Sequence, residues 1–154
     1  MQKGFGLLEV VIGAALVSVS VLGVFAAFSA VLGKGLATTE KLQATLYAEE
    51  GLEAARYFRD SGWDNVGTPA GGTAYYIAAT LSGWATSTTP ALLDGTFTRT
   101  IIIDDVYRRD SDKDIVPADS PDSKTIDTDT RRITATVSWE GQEVTLVTYL
   151  SNIF

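Results

Sequence analysis

The sequence predicts an α+β protein in which a long N-terminal helix, membrane-spanning in its first half, packs against a small antiparallel β-sheet head domain. Three observations predict this fold: an uncharged apolar run from Val10 to Leu32, helical spacing that continues to about Asp60, and short β-prone runs from Ala74 onward. Strands that follow one long helix are typical of an antiparallel sheet packed on that helix. Without the apolar run, about 120 residues remain for a single globular core.

The apolar run is long enough to cross a membrane. A helix over Val10 to Leu32 measures about 34 Å at about 1.5 Å per residue, against a hydrocarbon core of about 30 Å. A cleavable secretory signal peptide ending near AFSA at residues 27–30 is the other interpretation. The run exceeds the usual apolar region of roughly 7 to 15 residues, and Glu9 interrupts its beginning, which favours an anchor helix over residues 5–33.

Helical spacing resumes after Gly33-Lys34-Gly35 and predicts an amphipathic continuation over residues 34–60. Apolar residues recur there at intervals of about three and four, with charges between them. The face that we expect the head domain to cover carries Leu42, Leu46, Ala55 and Phe58.

The head domain is predicted over residues 61–154. Gly62 and the cluster GTPAGGT end the helix, and β-prone runs follow, the last two alternating in polarity and joined at Glu140-Gly141-Gln142. This pattern predicts a terminal hairpin. It also predicts that Trp139 is buried, whereas the sequence does not decide the exposure of Trp63 and Trp84.

The charge and composition exclude several classes of function. The net charge is −7, and the basic pairs Arg108-Arg109 and Arg131-Arg132 are interpreted as solvated strand-end charges, so no basic patch for a nucleic acid is expected. The chain has no His and no Cys, which excludes Ser-His-Asp and Cys-His arrangements and removes the commonest zinc ligands. An enzyme would need a carboxylate pair, and no pair stands out, so we expect no catalytic activity.

An acidic loop is predicted over residues 104–130, with Asp110, Asp112 and Asp114 at alternate positions. Alternating carboxylates are candidate ligands for calcium, which takes about 6 to 8 oxygens. The glycine and distal glutamate of an EF-hand are absent, and a solvated acidic loop without metal is the other interpretation. Calcium is the only cofactor that the sequence suggests.

The stretch Lys3-Gly4-Phe5-Gly6-Leu7-Leu8-Glu9, directly ahead of the apolar run, resembles the class III signal of type IV pilins and type II secretion pseudopilins. The resemblance implies that residues 1–4 are a leader, that a prepilin peptidase cuts between Gly4 and Phe5, and that the amine of Phe5 is then N-methylated. It also implies a long-helix fold with a β-rich head, in agreement with the pattern above.

For Glu9, the resemblance and the physical interpretation agree. A carboxylate at the edge of an apolar helix is tolerated in the monomer but favours a cationic partner, and the new amine of Phe5 on a staggered neighbouring helix can supply it. An interfacial acid on a generic anchor helix is the other interpretation of Glu9. The implied partners are other pilins or pseudopilins in a helical filament, prepilin peptidase, an inner-membrane assembly platform and membrane lipid. The implied location is the cytoplasmic membrane, as a single-pass protein, and then an extracellular or periplasmic filament.

Three functional hypotheses follow. The first is a structural subunit of a type IV pilus or pseudopilus, and the resemblance of EGLEAARYFRDSGWDN to PilV-type minor pilins favours a minor or initiating subunit. The second is a single-pass membrane-anchored binding module with a calcium-binding acidic loop. The third is a membrane-tethered enzyme, for which the sequence provides no catalytic constellation.

Overall fold

The computed structural model describes residues 6–80 and 83–153. The chain divides into two compact units, Met1–Glu40 and Lys41–Phe154, and helix α1 contributes residues to both. The predicted α+β fold is confirmed, because a long N-terminal helix packs against an antiparallel sheet.

Helix α1 spans Leu7–Ser61, 55 residues without a proline. A Cβ added to a glycine in its first half would meet no other described atom within 4 Å. Hydroxyl groups such as that of Ser18 donate to the carbonyl four residues earlier, at 2.8 Å, so these polar groups are satisfied inside the helix. Gly62 ends the helix with φ +150°, a conformation that L side chains rarely adopt. The predicted end near Asp60 is confirmed within one residue.

The face of α1 that packs on the sheet is built mainly from small residues. The predicted stripe is correct for Ala55 and in part for Phe58, but it is wrong for Leu42 and Leu46, which are 60% and 55% exposed. The reason is close approach: a Cβ on Gly51 would lie 2.8 Å from Cδ1 of Ile101 on the sheet. The buried helix positions are Ala44, Ala48, Gly51, Leu52, Ala54 and Ala55.

A short helix and a sheet follow α1. The elements are α2 Asp64–Gly67, β1 Thr73–Thr80, β2 Gly83–Ser87, β3 Leu92–Leu93, β4 Phe97–Arg109, β5 Ile115–Val116, β6 Lys124–Trp139 and β7 Gln142–Ser151. Within the described residues the sheet has seven strands, all paired antiparallel. The strand order is β2-β1-β4-β6-β7, and the short strands β3 and β5 pair with β4 along the same edge as β1.

The core lies between the buried face of α1 and one face of the sheet. Strands β4 and β6 alternate strictly there, and Ile101, Ile133 and Val137 are fully buried. The unit that contains this core spans Lys41–Phe154, because the second part of α1 supplies one side of the core.

The predicted acidic loop 104–130 is wrong at both ends. Strand β4 continues to Arg109 and β6 begins at Lys124, so residues 110–123 alone connect them, with β5 inside that connection. The strands extend because opposite charges face each other across them: Arg132 donates to Asp104 over 2.9 Å.

The basic pair Arg131-Arg132 also differs from its predicted place. It lies in the middle of β6, where Arg131 is largely buried and forms an ion pair with Asp105 on β4. A bulge in β4 between Asp105 and Val106 follows this pair. By contrast, Arg108-Arg109 does lie at a strand end, as predicted.

The terminal hairpin is confirmed. Trp139 faces Gln142 across the turn, and Glu140 and Gly141 have φ of +43° and +78°, the signs that a type I′ turn requires. Trp139 is 3% exposed, as expected. Trp63 and Trp84 are partly buried against the same core.

Candidate functional site

The first candidate region is the exposed apolar part of α1. Every residue from 6 to 39 is exposed, including large side chains such as Leu16, Phe25 and Phe28. A soluble surface does not normally carry apolar area on this scale. This part of the helix therefore has the length and the exposed apolar surface of a segment that could cross a membrane.

Among the described residues, α1 is the one helix long and apolar enough to cross a membrane. Its most apolar stretch has no buried residue, unlike the core helix of a soluble protein. The helix could therefore serve as a single-pass membrane anchor.

Glu9 lies in the first turn of α1 and is exposed. Its backbone N–H donates to the carbonyl of Gly6 at 3.0 Å. The positive end of the helix dipole partly stabilises a carboxylate here. No basic side chain within residues 6–80 and 83–153 forms an ion pair with Glu9. The predicted cleavage residues Gly4 and Phe5 lie outside the described residues.

The second candidate region is the connection between β4 and β6, which is organised by Arg109. The guanidinium contacts Asp112 at 2.7 Å and Asp122 at 2.8 Å, and Asp114 lies 3.8 Å away. The hydrogen bonds to Asp122 and Asp112 hold the pKa of Arg109 above its ordinary value. The hydrogen bond from Arg109 is in turn the main cause that lowers the pKa of Asp122. The centre of the acidic connection is thus occupied by a cationic side chain.

The three predicted calcium ligands do not converge on one point. Asp110 accepts hydrogen bonds from the hydroxyls of Ser123, at 2.6 Å, and Thr125, at 2.8 Å, and these bonds lower its pKa. Asp112 and Asp114 instead lie near Nη1 of Arg109, at 2.7 and 3.8 Å. Within the part of the chain that the structure describes, no group of three or more acidic, His or Cys side chains could hold a metal. The calcium site stays a prediction.

The third region is the buried guanidinium of Arg99, which the sequence analysis missed. Arg99 lies on β4, and its Nη atoms donate to the carboxylate of Glu50 at 2.8 Å, to the carbonyl of Tyr47 at 3.0 Å and to the carbonyl of Ile77 at 2.9 Å. Its Cζ is 5.6 Å from the ring centroid of Trp84. One side chain therefore joins α1 to β1, β2 and β4.

A detectable signal for Arg99 was present in the sequence. In the run TFTRTIII, Arg99 occupies an inward position of the alternation, two residues before Ile101. A charged side chain at an apolar position of a strand is expected to have a buried partner. The identity of that partner, Glu50, depends on the helix register and could not be inferred.

Tyr47 and Asp94 form a further contact between α1 and the sheet. The hydroxyl of Tyr47 donates to the carboxylate of Asp94, and Gln43 donates to the same carboxylate at 3.1 Å. The hydrogen bond to Asp94 is the main cause that raises the pKa of Tyr47. Asp94 has φ +48° in the turn between β3 and β4, so this contact fixes a strained turn against the helix.

No protein-family model matches the chain, and neither the curated proteins nor the solved structures contain a match to it.

Proposed function

We propose that this chain is a non-enzymatic structural subunit of a type IV pilus or a related pseudopilus, and more specifically a minor or initiating one. The observation that carries the proposal is the first part of α1: a fully exposed apolar helix with one acid, Glu9, in its first turn. The signal-like stretch Lys3 to Glu9 directly precedes the uncharged run from Val10 to Leu32.

The exposed helix supports assembly through apolar contact. In the membrane, lipid covers the residues from Leu7 to Gly33, and in a filament the same residues pack against the helices of neighbouring subunits. A Cβ added to Gly13 or Gly23 would meet no other atom of the described residues within 4 Å, so these positions are open to close approach by another helix. The same segment thus serves as anchor and then as filament core.

Glu9 supports a defined stagger between subunits. A carboxylate at the centre of a membrane helix costs about 2.5 to 3.5 kcal/mol, and less near the interface, so the acid is tolerated in the anchored monomer. Cleavage after Gly4 creates an amine on Phe5 that pairs with Glu9 of a neighbour. Because desolvation offsets much of the attraction, this pair sets the register of the helices more than it adds stability.

The proposal places the protein in the cytoplasmic membrane first and in an extracellular or periplasmic filament afterwards. Its partners are prepilin peptidase, an assembly platform in the inner membrane and other pilin-like subunits. The unit Lys41–Phe154 supplies a folded head whose core includes residues of α1.

The deciding experiment is intact-mass and N-terminal peptide analysis of the protein recovered from its own cells. A chain that begins at N-methylated Phe5 is expected. Gly4→Leu should remain uncut, whereas Gly6→Ala, whose added Cβ would meet no atom within 4 Å, should be processed normally. A wild-type chain that keeps Met1 in cells with an active peptidase contradicts the proposal and favours the anchored binding module.

Assembly is tested separately from processing. Glu9→Gln should be cut and membrane-inserted but absent from sheared filaments, because the pairing charge is lost. Glu49→Gln is the matched control, since Glu49 is an exposed acid on the same helix. Equal recovery of both variants in filaments would refute the role assigned to Glu9.

A further inference from the structure

The outer edge of β7 is an open backbone edge. Trp139 and Gln142 flank the hairpin turn, and in the same register Asn152 donates its N–H to the carbonyl of Asp129 at 2.8 Å. The backbone N–H and C=O groups of even-numbered β7 residues therefore hydrogen-bond to β6. Those of odd-numbered residues point outward, in the plane of the sheet and away from β6. These residues are Glu143, Thr145, Val147, Tyr149 and Ser151.

Nothing within the described residues covers these groups, since β7 pairs with β6 alone. Edge strands are usually blocked by Pro, by Lys or by a bulge. Strand β7 is ten residues long and has no Pro, no Lys and no register shift. The opposite side of the sheet differs, because β3 and β5, of two residues each, share the far edge of β4 with β1. The outermost strand there, β2, has five residues.

The chemistry of the edge defines its occupant as another extended polypeptide. Outward N–H and C=O groups recur every second residue, about 6.8 Å apart, a spacing that only a β-strand matches. Val147, 53% exposed, and Tyr149, 47% exposed, contribute apolar surface along the same edge. β-Strand addition uses this combination of backbone pairing and alternate side-chain contacts.

The order of the outward residues is self-complementary. When two copies of β7 run antiparallel with Val147 opposite Val147, Thr145 faces Tyr149 and Glu143 faces Ser151. All outward positions are paired, and no like charges face each other. The two Glu143 side chains then lie about 27 Å apart, at about 3.4 Å per residue. A shift by two residues leaves Ser151 unpaired and places Glu143 opposite Tyr149.

We propose that β7 is a self-association edge, at which two copies of this chain join their sheets through antiparallel β7 strands related by a two-fold axis at Val147. This proposal goes beyond the proposed function and does not rest on it. Copies in a polar helical filament share one direction, whereas a two-fold axis reverses the strand direction. The contact therefore joins copies that are not neighbours along one filament.

The absence of cysteine allows a direct test, because a single introduced thiol is unique in the chain. Hydrogen-bonded partners in an antiparallel pair have Cα atoms about 5.5 Å apart, within the range of about 4.4 to 6.8 Å for disulfides. The full-length Val147→Cys chain, oxidised in detergent where a bilayer does not fix chain orientation, should give about tenfold more disulfide dimer than Ser138→Cys. Ser138 is exposed one strand further in.

Two further cysteine variants test the register of the β7 pairing. Neither Glu143→Cys nor Ser151→Cys should form dimers alone, but a mixture of the two chains should form a mixed disulfide. Equal dimer yields for Val147→Cys and Ser138→Cys, or no mixed disulfide, would overturn the proposal. Dimerisation through the apolar helix would not produce this dependence on position, so the outcome is independent of filament assembly.

A proline variant tests the backbone bonds. Val147→Pro removes an outward N–H that β6 does not use, and proline is tolerated at such edge positions. Sedimentation in detergent should show loss of the dimer for Val147→Pro and its retention for Val147→Thr, which keeps the N–H. Added salt should strengthen association, because each copy carries a net charge of −7. A wild-type chain that stays monomeric at high concentration and high salt refutes the contact.

Discussion

The guanidinium of Arg99 donates to the carboxylate of Glu50 across 2.8 Å, although the Arg99 side chain is 2% exposed and that of Glu50 is 42% exposed. Loss of the partner therefore costs Arg99 more solvation than it costs Glu50. Arg99 depends on its partners for solvation, whereas Glu50 retains water. The pair joins the β4 strand to the α1 helix beside Gly51.

Arg99→Ala should lower the free energy of unfolding by about 3 to 5 kcal/mol, because it removes several hydrogen bonds and leaves a cavity. Glu50→Gln should cost less, about 1 to 2 kcal/mol, since an oxygen acceptor stays beside the guanidinium. Urea unfolding of the full chain in detergent measures both. Glu49→Gln, at an exposed position, should stay within about 0.5 kcal/mol of wild type. A larger loss for Glu50→Gln than for Arg99→Ala would contradict this account.

Gly51→Ala should destabilise the protein by about 1 to 3 kcal/mol although alanine is the better helix former. The new Cβ would lie 2.8 Å from Cδ1 of Ile101 and 2.9 Å from Cδ of Arg99, so the buried face must move. Gly35→Ala is the control, because its Cβ would meet no atom within 4 Å. Thermal melting of both variants is the measurement, and a neutral Gly51→Ala would show that the helix can shift on the sheet.

The carboxylates of the connection between β4 and β6 should make stability depend on pH in the acid range. Hydrogen bonding lowers the pKa of Asp110, Asp112 and Asp122 below the ordinary 3.8 in the folded protein. Their contribution is therefore complete above that value and is lost as the pH falls through the lowered folded pKa values. NMR titration of Asp122 should give a pKa below 3.8, and Arg109→Leu should raise it towards that value. An unchanged Asp122 pKa in Arg109→Leu would exclude Arg109 as the cause.

Calcium and Arg109 should compete for the acidic connection. Because the guanidinium already contacts Asp112 and Asp122, a calcium ion must displace it to use these carboxylates. Arg109→Ala should therefore show a larger rise in melting temperature with millimolar calcium than wild type does. If neither protein responds, Asp110, Asp112 and Asp114 do not form a calcium site. If wild type responds more strongly, Arg109 does not occupy the site.

The fold could be predicted because the long helix and the main strands have local signals, whereas α2, β2, β3 and β5 were not predicted. The end of α1 follows from Gly62, and the last hairpin follows from alternation around Glu140-Gly141. The extent of β4 and β6 through the acidic segment could not be predicted, because it depends on pairs such as Asp104 with Arg132 that only the strand register reveals. The many acidic residues in 104–130 were the signal that predicted a loop there.

The packed face of α1 was predicted from the size of its apolar side chains rather than from the space between helix and sheet. This explains why Leu42 and Leu46 were wrongly placed on it. Leu42 and Leu46 have the more apolar side chains, but the sheet approaches α1 too closely to accept them beside Gly51. Alanine contributes little to a sequence-based apolar stripe, so Ala44 and Ala48 were left out of the predicted face, which included Ala55 alone of the buried alanines. The candidate residues Gly4, Phe5 and Glu9 came from the sequence alone, since the structure adds exposure data for Glu9 but does not describe the other two.

The face of Ala44, Ala48, Gly51 and Ala55 also has a consequence during protein synthesis. The ribosome completes α1 well before β4 and β6, which later cover that face. Because Leu52 is the one large apolar side chain among the buried residues of α1, this face exposes less apolar area on the nascent helix than a row of leucines would. More leucines there would promote premature association. The close helix-sheet contact therefore also limits what an unfinished chain presents to its neighbours.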